Sequence, residues 1–155
     1  MPQSVRPASP RPLALFALAL AAALVLPGHA ADRADTPAPN HPLIGVWRLS
    51  LDAGRCAETY RFRQDGSSLV TSAGEVSESA YAIGAKPSAR GFYKLEDRIV
   101  RDNGKPDCSG EVMRVGARTT NYLQFHPGGD MFLMCASETL DVCIGPFERI
   151  RGEKI

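Results

Sequence analysis

From Leu43 onward the chain shows no stretch with helical periodicity. Turn residues divide it instead into short β-rich runs, about one every 8–12 residues. The runs are 43–51, 57–64, 67–72, 76–83, 92–101, a short one at 111–115, then 119–125, 131–135 and 142–150. Alternation is sharpest in the second, where Tyr60 and Phe62 point one way and Thr59, Arg61 and Arg63 the other. Between the runs stand "QDGS", "SAGE", "GAKPSARG", "DNGKPDCSG", "GART" and "HPGGD"; Asp-Gly between two such runs is a strong hairpin signal. Eight or nine strands in sequential hairpins, without long crossovers, predict an all-β up-and-down meander. Closing it removes the exposed edges, so the expected fold is a roughly eight-stranded antiparallel barrel spanning 43–155. A β-sandwich would need longer Greek-key links than the sequence contains.

The first thirty residues read as a leader rather than as fold. Arg6 and Arg11 precede the apolar run Leu13–Leu26, and "PGHA" supplies small residues at Gly28 and Ala30. This is the pattern of a secretory signal peptide cut near Ala30. The run has 14 residues, and a membrane-crossing helix needs about 20. The proline-rich segment Ala31–Pro42 is expected to be a disordered arm. The leader carries two of the 18 basic residues and none of the 17 acidic ones, so the remainder is nearly neutral. Such a balance argues against nucleic acid as a partner, and no membrane span is expected after cleavage.

All four cysteines, Cys56, Cys108, Cys135 and Cys143, follow the leader. An even count in an exported chain reads as two disulfides, and the absence of C-x-x-C spacing argues against zinc. Three pairings are open. Cys135–Cys143 with Cys56–Cys108 is favoured, the first stapling a hairpin and the second tying distant strands.

Three features then align along the chain. Gly45-x-Trp47 opens the first run, "TTNY" (Thr119–Tyr122) begins a late one, and Arg149 lies in the last, "FERI". In this order they resemble the lipocalin/calycin pattern of G-x-W, T-D-Y and a basic residue on the final strand. The resemblance implies a barrel whose closed end is plugged by Trp47, with Gly45 allowing close backbone approach and Arg149 stacking on the indole. It places Thr120 and Tyr122 in the second motif, where Asn121 replaces the family's Asp. Five residues follow Ile150, short of the helix that follows a lipocalin barrel. Calycin-like bacterial periplasmic protease inhibitors are short barrels of this kind.

No catalytic constellation stands out, and an enzyme is not expected. His41 falls in the arm, His126 precedes Pro-Gly-Gly in a turn, and no G-x-S-x-G elbow occurs. Glu96 and Asp97 are adjacent and face opposite sides of a strand, so they read as solvated surface charges. Asp102, Asn103, Asp107 and Glu111 lack the alternation of a calcium loop. Met131 and Met134 face opposite sides and read as core rather than as a copper site. No metal or cofactor is expected.

The expected function is that of an exported, non-enzymatic carrier of a small apolar or amphipathic ligand. Tyr60, Phe62, Tyr93, Leu95, Leu123, Phe125 and Leu133 are the candidate lining. The alternatives are an inhibitor or interaction module that inserts its arm into an exported hydrolase, or an envelope protein without ligand. The run 131–135 is apolar on both faces, so its outer face calls for a cover: a partner protein, a second copy or the arm. An open lumen above about 300 Å³ would favour the carrier, and a filled lumen with a protruding arm the inhibitor.

Overall fold

A computed structural model describes residues 36–153. The predicted leader, residues 31–35 of the predicted arm, and 154–155 lie outside the described residues. Eight strands form: β1 (Gly45–Leu51), β2 (Cys56–Phe62), β3 (Ser67–Ser72), β4 (Glu75–Ile83), β5 (Tyr93–Asp102), β6 (Arg118–Phe125), β7 (Met131–Cys135) and β8 (Cys143–Ile150). Each pairs antiparallel with the next, and β8 returns to β1 through Trp47 opposite Arg149 and Leu49 opposite Phe147. The sheet is a closed barrel without a free edge. Cys56–Cys108 and Cys135–Cys143 are bonded.

The short run at 111–115 is not a strand. It belongs to the long connection 103–117 between β5 and β6. Asp107 organises this loop, its Oδ1 accepting the backbone N–H of Ser109 and Glu111 at 2.8 and 2.9 Å. These bonds occupy donors that a strand would have given to a neighbour.

The barrel is solid in one half. Trp47, Tyr81, Leu123, Phe132 and Phe147 are fully buried, with Phe62, Ile83 and Leu95 beside them. Phe132 and Phe147 stack at 4.5 Å, and Trp47 meets Phe132 edge-on at 4.7 Å. Each such side chain contributes on the order of 1.5–3 kcal/mol by burial.

The arm, where described, is ordered. Pro37 and Leu43 are fully buried and His41 nearly so. The His41 ring accepts the Leu43 N–H through Nδ1 (3.1 Å) and faces the Gly84 carbonyl through Nε2 (3.2 Å). It also packs edge-on against Tyr93 at 4.9 Å. The expectation of a disordered arm, with His41 in it, is therefore corrected for residues 36–42: Pro37 and His41 are buried against the barrel and the His41 ring is hydrogen-bonded there. Gln64 adds a bond from its side-chain amide to the Pro37 carbonyl at 2.7 Å.

Candidate functional site

The two ends of the barrel differ in chemistry. At the closed end, the Trp47 indole N–H donates to the Leu43 carbonyl at 2.7 Å, and the Arg149 guanidinium lies 4.0 Å over the ring. Arg149 also donates to the carbonyls of Ile44 (3.0 Å), Gly129 (3.2 Å) and Pro42. Gly45, at φ +142°, makes room for it: a Cβ there would stand 2.5 Å from the guanidinium. Tyr122 does not join this plug. It pairs with Lys94 and Cys135 on the face opposite the fully buried Leu123. From the same strand it is Phe125 that reaches Trp47, at 5.9 Å.

At the other end the interior is a cavity of about 410 Å³. It exists because inward positions change in size along the strands. In β4 the buried positions run Glu75, Ser77, Ser79, Tyr81, Ile83, from polar at the mouth, with two serines, to large and apolar at the plug. Ser68 and Val70 on β3 and Thr119 and Asn121 on β6 continue the small wall. Leu49, Leu51, Tyr60, Phe62, Ile99 and Met134 supply its apolar part, and Met113 and Ala117 reach it from the β5–β6 loop. The Cys56–Cys108 bond anchors that loop to β2.

Four carboxylic side chains face this space: Glu58, Glu75, Asp97 and Asp107. No Lys, Arg or His is among its described lining residues. Glu58 accepts the Tyr60 hydroxyl at 2.5 Å and the Ser72 hydroxyl at 2.6 Å. Ser72 in turn accepts the Cys108 N–H at 2.9 Å, tying the loop to the acidic wall. Burial, reinforced by Glu58, holds the Tyr60 phenol well above its ordinary range, so it remains a donor. Burial raises Glu75, against an opposing hydrogen bond from Ser77, and the neighbouring Asp102, Asp107 and Glu58 raise it further. Burial pushes Asp97 up to about 6 despite the Ser79 hydroxyl. For Asp107 burial acts upward too, but hydrogen bonds from Ser109, Glu111 and Gly110 outweigh it and hold the group low. Among the described residues, no three His, Cys, Asp or Glu side chains are grouped to hold a metal ion.

Of the residues expected to line the lumen, Tyr60, Phe62 and Leu95 do so. Leu123 is buried in the solid half, and Tyr93 and Phe125 pack together at the plug at 5.6 Å. Leu133 is outside the lumen. Phe132 and Met134 take the inward positions of β7, and Leu133 lies against Gly145, where a Cβ would meet it at 2.9 Å. With both faces of 131–135 apolar, hydrophobicity alone does not choose the inward set. Asp97 reverses the surface reading given to its pair: it faces the cavity, while Glu96 is exposed and bridged to Lys94 at 2.6 Å.

Sequence reasoning missed Glu58, Glu75 and Asp107 as cavity residues. One signal was present. In β4 and β5 the apolar Val76 and Val100 fall on positions out of phase with Tyr81 and Leu95, and both are exposed. That inversion marks strands whose inner face is polar near one end.

What fold and cavity together define is a small closed β-barrel, plugged by an aromatic–arginine cluster at one end and hollow and acidic at the other. Compared with models of protein families, with curated proteins and with solved structures, the chain matches none.

Proposed function

We propose that this is an exported, non-enzymatic binding protein of lipocalin/calycin type that carries a small amphipathic molecule in the open half of its barrel. The observation that carries the reading is the cavity. An eight-stranded barrel is narrow enough to be filled by its own side chains, yet about 410 Å³ stays open here, lined by apolar and polar groups together. That volume lies in the range of small-molecule sites. Export is supported by two disulfides in a small domain and by the leader-like first thirty residues. An inhibitor working through its arm draws less support, because Pro37 and His41 are committed to the closed end.

The test is native mass spectrometry of the protein isolated from its own host without detergent. The expected result is a non-covalent adduct of a few hundred daltons, lost on denaturation and restored on adding back the extract. A chain that carries no adduct and binds no amphiphile offered to it would overturn the reading.

A further inference from the structure

We propose that the cavity selects cationic amphiphiles, compounds with a protonated amine and a short apolar body. This rests on the carrier reading above and names the ligand class it takes. Two independent features carry it. One is the open space, which already calls for an occupant. The other is the charge of its wall.

Glu58 and Glu75 are 8% and 3% exposed, and neither has a cationic partner among the described residues. Neutral hydroxyls satisfy their hydrogen bonds: Tyr60 and Ser72 serve Glu58, and Ser77 serves Glu75. Hydroxyls do not balance charge, and a buried carboxylate without a counter-charge is costly. Register places the groups together, with Glu58 opposite Ser72 on β3 and Ser72 opposite Glu75 on β4. Asp107 joins them from the loop, and Asp97 adds a fourth carboxyl by way of Ser79. Asp102, paired across from Ser77, leaves its Oδ2 buried without a hydrogen-bond partner beside this group.

An ammonium entering the cavity would find carboxylate acceptors on β2, β4, β5 and the loop, and would offset the repulsion that Asp102, Asp107 and Glu58 exert on Glu75. Below it, Phe62, Leu49 and Leu95 offer an apolar floor for a short chain. A fatty acid or phosphate ester would bring a further negative charge to the same wall and be disfavoured. The wall therefore sets a sign as well as a size.

The experiment compares octylamine, octanol and octanoate by calorimetric titration at pH 7.5 on the disulfide-intact protein. Octylamine is expected to bind about tenfold more tightly than octanol, the scale of one charge-assisted hydrogen bond, and octanoate the most weakly. Glu75→Gln and Asp97→Asn are each expected to cut the preference for octylamine over octanol several-fold, with cooperative urea unfolding showing that the variants are folded. At pH 5.5, octylamine binding should release protons, read as a dependence of the heat on buffer ionisation. Octanol or octanoate binding as well as octylamine would overturn the cationic preference and leave the carrier reading standing. Binding of none of the three would overturn both.

Discussion

The most direct test of the acidic interior is Asp97→Asn read as stability against pH. Asp97 is held at about 6 by burial, against an ordinary 3.8. The folded chain thus keeps a proton there that the unfolded chain has already released. Stability from this group is complete below the unfolded value and is lost as pH rises from about 4 through 6. A shift of that size corresponds to about 3 kcal/mol at neutral pH, and some residual solvent access brings the expectation to about 1–3 kcal/mol. Asparagine keeps the shape and can still accept the Ser79 hydroxyl, but it cannot ionise. The variant should match the parent near pH 4 and exceed it by about 1–3 kcal/mol at pH 7.5. The assay is urea unfolding with disulfides intact, followed by fluorescence of Trp47, the single tryptophan, which is fully buried in the fold. Equal pH slopes for the two proteins, or a variant less stable at both values, would refute the placement of Asp97 as a half-buried, cavity-facing carboxyl without a counter-charge.

Gly45→Ala should cost about 2–4 kcal/mol, because it adds strain at positive φ and collides with Arg149; in urea unfolding the loss should shrink when combined with Arg149→Ala, and strict additivity would deny the contact. Replacing Cys56 and Cys108 by Ser opens a connection of 52 residues and should cost about 4 kcal/mol, whereas Cys135 and Cys143, 8 apart, should cost about 2.5 kcal/mol. Thermal unfolding of the two double variants checks that order. Burial lowers the His41 pKa, against the opposing pull of its Gly84 hydrogen bond. The stability it lends is therefore present above its ordinary 6.5 and is lost as pH falls below that value. NMR titration should find a depressed ring pKa, and protection of the 36–44 amides that declines in acid; an ordinary titration with unchanged protection would refute the packing described.

Antiparallel order and barrel closure were legible in the sequence, and the strand count to within the one run at 111–115, because short alternating runs broken by Asp-Gly and Gly-rich turns leave few other arrangements. The cysteine pairs could be ranked, since a separation of 8 between Cys135 and Cys143 suits one hairpin. Period-two alternation defines two faces without naming the inner one. It identified Tyr60, Phe62 and Leu95 where apolar and polar sides contrast, and it misplaced Leu133 in a run apolar on both. Glu58, Glu75, Asp97 and Asp107 line one cavity only because β2, β4, β5 and the 103–117 loop converge at one end of the closed sheet. Their separations along the chain bear no relation to their nearness in space. A carboxylate at a strand position reads as solvent-facing until closure of the barrel decides which side is solvent. The local pattern determined that there would be a barrel; only the closed tertiary structure decided which half is packed solid and which is left open, and that the open half is lined with acid.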